Sequence, residues 1–261
     1  MGRLEGKVAF LTGAGAGIAK ATALAYAREG AKVAIIELNN ETGAAAEKDV
    51  RAAGGDAIFI QTDVTDFDSV KRAVDATVAK FGKLDVLLNC AGGSLQEDVP
   101  VHEMDLDVWH RTVALNLLHP FLTCRHAIPH MIKAGGGSII NMTSHLGLMG
   151  SIKPAYAATK GGIISFTKTL AAQYADYGIR ANGIAPGSTL TDGTRKLFYG
   201  DDGLFRESVQ KMLDHVPLGR PASVDEYAVA ALFLADPENS YMNGHILTVD
   251  GGWTAGYTRE F

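Results

Sequence analysis

The sequence predicts an α/β fold: one doubly wound parallel sheet of seven strands with helices on both faces. Three observations carry this expectation. Short runs rich in Val, Ile and Leu alternate with longer segments of helical periodicity along the whole chain. The short runs are continuously apolar rather than alternating, as strands buried on both faces are. A Gly-rich turn separates the first such run from the first helical segment, where a nucleotide-binding sheet needs bare backbone.

Each element follows in order. Val8–Thr12 is an apolar run ending at the glycine cluster, and residues 18–28 carry apolar side chains at helical spacing. Lys32–Glu37 reads as the second strand and residues 42–53 as the second helix. Residues 57–61 form a strand, residues 69–81 a helix started by Asp66 or Asp68, and residues 84–88 a strand. Residues 107–134 read as one long helix that contains Pro120 and Pro129, so a kink or break is expected within it. Residues 138–143 are a strand after Gly135-Gly136-Gly137. A helix opens at Pro154, a favoured place for proline, and runs to residue 177 before Gly178. Residues 179–184 are the sixth strand, Val224–Ala235 a helix and Ile246–Val249 the last strand. Residues 188–220 are irregular apart from one helix near 204–213. That is too long for an ordinary connection and suits a substrate loop or lid. No linker or repeat divides the chain, so residues 1–261 are expected to form a single domain.

Composition narrows the function. With 24 Lys and Arg against 29 Asp and Glu, the net charge is −5, which argues against nucleic acid or an anionic membrane as partner. Two cysteines cannot build a disulfide framework or a four-thiolate metal site. No apolar run near the N-terminus has signal-peptide length, Gly6 stands where a myristoylation motif needs Ser or Thr, and no stretch reaches membrane-spanning length. A soluble, cytoplasmic protein is expected. Glycine is in excess, at 30 of 261 residues, and its placement matters more than its count.

Three motifs carry chemistry. The turn Thr12-Gly13-Ala14-Gly15-Ala16-Gly17-Ile18-Ala19 lets backbone N–H groups approach a pyrophosphate at the positive end of the following helix. Glu37 ends the second strand 20 residues beyond Gly17, where an acid accepts hydrogen bonds from an adenosine ribose and repels a 2′-phosphate. No basic residue lies in the glycine turn or in Leu38-Asn39-Asn40, so NAD(H) is expected over NADP(H). Tyr156 and Lys160 are four residues apart on one helix face, where an ammonium can lower a phenol pKa into the range of a general acid/base. Rival patterns are weaker. His126 and His130 have helical spacing but no intervening Glu and no third ligand, so no metal is expected. Met142 stands where a hydrolase elbow around Ser144-His145 needs Gly. Cys90 reads as a packed thiol.

Together these residues resemble the short-chain dehydrogenase/reductase family, whose fold is Rossmann-type. The glycine turn matches over residues 12–18, Asn89-Cys90-Ala91-Gly92 matches the Asn-x-Ala-Gly motif, and Asn116 the helix asparagine. Ser144 matches the catalytic serine, Tyr156 and Lys160 the Tyr-x-x-x-Lys pair, Pro186-Gly187 with Thr191 the Pro-Gly-Thr segment, and Asp250-Gly251-Gly252 the terminal motif. Ala19 departs from the glycine common at that position. The resemblance spans nearly the whole chain and implies an oxidoreductase moving a hydride between NAD(H) and a secondary alcohol or ketone.

By resemblance, Tyr156 exchanges the proton at the substrate oxygen and Ser144 polarises the carbonyl. Lys160 lowers the Tyr156 pKa and holds the nicotinamide ribose, and Asn116 positions a relay water. Gly13, Ala16, Gly17, Ile18, Glu37, Asp63, Val64, Asn89, Ala91, Gly92, Pro186, Gly187, Thr189 and Thr191 would bind cofactor with Tyr156 and Lys160. Gln96 and His145 are expected to meet substrate beside Ser144 and Tyr156, and the apolar Leu146, Leu148, Met149, Leu197 and Phe198 to supply area. A sugar, hydroxy acid or cyclic alcohol fits this mixture. A 3-oxoacyl-carrier-protein reductase and a catalytically silent NAD-binding protein are the alternatives. The family also implies a homo-oligomer, tetramer or dimer, through the long helices at 107–134 and 155–177 and the last strand, with residues 252–261 covering a neighbour's pocket.

Overall fold

The structure is a computed structural model that describes residues 2–256. The central sheet is formed by β1 (Val8–Thr12), β2 (Lys32–Glu37), β3 (Asp56–Gln61), β4 (Val86–Asn89), β5 (Gly137–Met142), β6 (Ile179–Pro186) and the last strand, Ile246–Val249. All pair in parallel, in the order β3-β2-β1-β4-β5-β6 followed by the last strand. The predicted seven-stranded sheet is therefore observed. The chain reverses direction across the sheet between β1 and β4, and ligands of open α/β sheets bind beyond the strand ends at such a switch point.

Two apolar clusters sandwich the sheet. One joins α1 (Gly17–Arg28), α2 (Asn40–Ala52) and the helix Val224–Ala235, with Tyr26 and Tyr227 fully buried. The other joins α3 (Phe67–Phe81), α5 (His119–Lys133) and α6 (Pro154–Gln173) around Phe10, Leu87, Met131 and Ile139. The first helix begins at Gly17 with Ala16 as its N-cap, and that cap makes no side-chain hydrogen bond. Asp66 caps α3 through the Ser69 N–H, which settles the choice between Asp66 and Asp68.

The expected long helix at 107–134 is interrupted. It comprises α4 (Leu106–Val113), a π-helical turn at Ala114–Leu118, and α5. The break precedes Pro120 because proline has no N–H to donate to the carbonyl four residues back, which is that of Asn116. Pro129 stays within α5. The helix from Pro154 is α-helical only to Gln173 and closes in a 3₁₀ turn at Ala175–Tyr177.

Residues 188–220 correct the sequence reading most. They hold two helices, α7 (Asp192–Phe198) and α8 (Glu207–Leu213), and the strand β7 (Thr189–Leu190). This strand pairs with β8 (Ala222–Ser223), so the helix Val224–Ala235 is α9 and the last strand β9. The missed α7 is nucleated by a box in which Thr191 and Thr194 cap each other. Thr in place of Glu or Gln at the third position hides that signal. Among the described residues no helix is long and apolar enough to cross a membrane.

Candidate active site

The glycine turn lies at the switch point, and Thr12 fixes it there. The Thr12 hydroxyl accepts the N–H groups of Cys90 (2.9 Å) and Ala91 (3.1 Å), tying the end of β1 to the end of β4. Gly13 has φ +69°, and a Cβ there would come within 2.9 Å of the Ala91 Cα, so only glycine fits. Beyond this junction opens a cavity of about 530 Å³ lined by Gly13, Glu37, Asp63, Val64, Ala91, Gly92, Arg111 and Leu115 among others.

The residues fit a dinucleotide on two counts. The first turn of α1 is left uncapped by side chains, so its N–H groups are available to an anion. One wall of the cavity carries a carboxylate held in place by backbone: Glu37 Oε2 accepts from Gly15 N (3.2 Å), and Oε1 accepts from Leu38 N (3.0 Å) and Asn39 N (3.1 Å). Asp63 is likewise fixed, its Oδ1 accepting from the N–H and hydroxyl of Thr65.

A second, smaller cleft of about 160 Å³ brings together Ile18, Cys90, Gly92, Ser144, Tyr156, Lys160, Pro186, Gly187 and Thr189. Ser144 caps a short 3₁₀ turn after β5, its Oγ accepting from Leu146 N. Tyr156 and Lys160 project from the first turns of α6, with Lys160 Nζ 5.5 Å from the Tyr156 ring centre. The expectation that Lys160 lowers the Tyr156 pKa is corrected. Burial is the main influence on the phenol and raises its pKa, and a hydrogen bond with Ser144 pulls the other way. Lys160 instead donates to the Met142 carbonyl (2.8 Å), and burial brings its own pKa down to about 8.

Asn116 sits in the π-turn and does not line the smaller cleft. Its Oδ1 accepts from Gly93 N and its Nδ2 donates to Gly93 O, both at 3.0 Å, with a further bond to Thr112 O. This clasp holds the strand-end loop in place. Gly92, with φ +149°, passes between Asn116 and Lys160: a Cβ there would lie 2.6 Å from Asn116 Oδ1 and 3.5 Å from Lys160 Nζ.

Other expected residues are placed elsewhere. Asn89 is buried and faces inward, accepting from Thr123 and donating to Asn141, which in turn donates to Thr167; it lines neither cavity. Ala16 is an exposed helix cap. Thr191 lies beside Gly17, but its hydroxyl is engaged in capping α7. Gln96 is exposed, and its carbonyl accepts from Lys153. His145 is buried, with Nδ1 on the Pro186 carbonyl (2.8 Å) and its ring 4.6 Å from Trp253, so it braces the C-terminal turn rather than lining the cleft. His126 packs edge-on to Phe67 while His130 lies 3.9 Å from Asp75, so the two rings serve different neighbours. The part of the expected pocket cover beyond Gly256 lies outside the described residues.

Sequence reasoning missed Asp98. It is buried, and its carboxylate accepts the Ala155 N–H (3.2 Å) and the Tyr156 N–H (2.9 Å), capping α6 at the tyrosine itself. Lys153, the local N-cap, makes no such bond, and nothing in the local pattern around residue 98 points to a helix 57 residues away. Arg111, which also lines the larger cavity, was missed too; it pairs with Asp107 (2.8 Å).

The family profile described as Enoyl-(Acyl carrier protein) reductase matches residues 13–254. D-threitol dehydrogenase of Mycolicibacterium smegmatis is 39% identical over 253 residues, covering 97% of this chain and 94% of that protein. The 3-oxoacyl-acyl-carrier-protein reductase of Thermotoga maritima is 38% identical, covering 96% and 98%. Among solved structures, 7α-hydroxysteroid dehydrogenase complexed with NADH and 7-oxo glycochenodeoxycholic acid superposes with a TM-score of 0.88 at 35% identity, covering 96% and 95%. The chain belongs to the short-chain dehydrogenase/reductase family of oxidoreductases.

Proposed function

We propose that this protein is an NAD(H)-dependent dehydrogenase of secondary alcohols, running in reverse as a ketone reductase. The observation that carries this reading is the convergence of Ser144, Tyr156 and Lys160 on one cleft adjoining the Glu37-walled cavity. The nicotinamide cofactor supplies the hydride acceptor and donor. The glycine turn, Asp63, Val64, Ala91, Gly92, Pro186, Gly187 and Thr189 would hold it, with the Glu37 carboxylate selecting a free ribose hydroxyl over a phosphate.

The protein's own groups handle the proton. In the reductive direction the Tyr156 phenol, kept protonated by burial, donates to the substrate oxygen while Ser144 hydrogen-bonds the same atom. In the oxidative direction the Ser144 hydrogen bond, the one influence that lowers the Tyr156 pKa, stabilises the phenolate that accepts the alcohol proton. Asp98 and Asn116 fix the tyrosine and the Gly92–Gly93 wall between which substrate would sit. The mixed polar and apolar surroundings suit a polyol or cyclic alcohol, the classes named in the threitol and steroid relatives. Exposed Leu106, Trp109 and Phe121 on α4 and α5 support self-association through these helices.

A second reading, reduction of a 3-oxoacyl thioester, is favoured by the profile description and the Thermotoga maritima relative. One experiment separates the two. Reduction of NAD and NADP is followed against a panel of polyols, cyclic alcohols and hydroxy acids, and oxidation of NADH and NADPH against acetoacetyl thioesters. Turnover of a panel alcohol with NAD at least tenfold above NADP is expected. Turnover of the thioester alone, with NADPH, selects the second reading, and binding without turnover of any of them selects a silent protein.

A further inference from the structure

One face of the interrupted helix α4–α5 carries Thr112, Asn116, His119 and Thr123, all essentially inaccessible to solvent. A helix face packed against a sheet is ordinarily apolar, so four buried polar residues in a row need partners. Asn116 and Thr123 have them, on Gly93 and Asn89. His119 is only half satisfied. Its Nδ1 is 3.2 Å from the Leu115 carbonyl, while Nε2 is buried without a hydrogen-bond partner. The Thr112 hydroxyl, on the far side of Asn116, is in the same condition.

The chemistry of the ring defines what can complete it. Burial and the Lys160 charge hold His119 neutral, with its pKa down to about 3. A neutral imidazole has one N–H, and the Leu115 carbonyl, an acceptor, takes it at Nδ1. Nε2 is then an acceptor. The Ala91 carbonyl also acts on the ring, raising its pKa, and it too is an acceptor. Two acceptors cannot bond each other, and a water, with two O–H groups, can donate to both.

We propose that His119 holds an internal water against the Ala91 carbonyl, making it a positioning residue for the Ala91–Gly92 wall of the cofactor cavity. The proposal rests on the dinucleotide part of the function proposed above and not on the alcohol substrate. It places a wet joint between α5 and the end of β4, separate from the direct Asn116–Gly93 clasp one helical turn earlier. A fully satisfied joint of this kind fixes the wall without closing the cavity, because the link is to backbone.

The test has two arms that need no substrate. In crystals of the full chain, one ordered water within hydrogen-bond distance of both His119 Nε2 and the Ala91 oxygen is expected. Direct contact of Nε2 with a protein donor, or a dry site, overturns the proposal. In solution, NAD affinity is measured calorimetrically for the parent, His119→Phe and His119→Asn. The phenylalanine fills the space without an acceptor, so its Kd is expected to rise about tenfold, with the melting temperature within a few degrees of the parent. The asparagine carbonyl is expected to restore affinity to within threefold. Unchanged affinity in His119→Phe overturns the positioning role even if the water is present. Failure of the parent to bind NAD at all would sink the dinucleotide reading itself, while the crystallographic arm still decides the water.

Discussion

Two helices that pack side by side contribute to the site in opposite ways. In α6 the functional side chains follow from regularity: an unbroken helix puts Tyr156 and Lys160 on one face, four residues apart, both lining the smaller cleft. In α4–α5 the functional side chain sits on an irregularity. Asn116 occupies a π-turn, and its amide is used on the Gly93 backbone rather than on the cleft. A regular helix displays groups to substrate, whereas a broken one here grips a neighbouring loop, since the wider turn shifts the following residues around the axis. The first kind of placement can be counted along a sequence. The second depends on what the helix packs against.

This contrast can be broken or sharpened by substitution. The largest effect belongs to α6. Tyr156→Phe removes the phenol and leaves the packing, so turnover is expected to fall by about a thousandfold or more, with NAD affinity and melting temperature little changed. Steady-state rates and calorimetry check this, and a variant retaining full turnover would remove Tyr156 from the proton path. Asn116→Ala is expected to act on both stability and rate. It frees the part-buried Gly93 N–H and C=O, at a cost of about 1 kcal/mol in denaturant unfolding, with a loss of turnover smaller than that of Tyr156→Phe. A purely kinetic effect with unchanged stability would make Asn116 a display residue like those of α6. The smallest effect is expected from Pro120→Ala. It restores a donor to the Asn116 carbonyl, so the π-turn should relax toward regular helix, with stability changed by less than about 1 kcal/mol and turnover lowered severalfold. A crystal structure of the variant checks the backbone, and a persistent π-turn would mean that packing rather than the proline sets it.

Much of the fold was legible because buried parallel strands are recognisable one at a time. The bounds of β2, α9 and β9 agree with the sequence reading, and α3 begins at one of the two aspartates proposed. The reading failed where the stabilising partner was unusual or distant. The helix α7 depends on a Thr–Thr box, and the 188–223 segment on a two-residue strand pair between residues far apart in sequence. Within the site, the motifs located Ser144, Tyr156 and Lys160 and the glycine turn. They could not tell that Asn89 faces a buried row of amides and hydroxyls, that His145 supports Trp253, or that Lys160 is engaged by the Met142 carbonyl.

By itself the sequence determined the sheet, the glycine turn and the shared helix face of Tyr156 and Lys160, because each is written in residues close together along the chain. The tertiary structure alone decided what holds them. Asp98 reaches across 57 residues to cap α6 at Tyr156, Thr12 ties β1 to the end of β4, and burial rather than a neighbouring ammonium sets the resting protonation of the phenol. Caps, ties and desolvation are properties of who is nearby in space, and that is fixed only when the chain has packed.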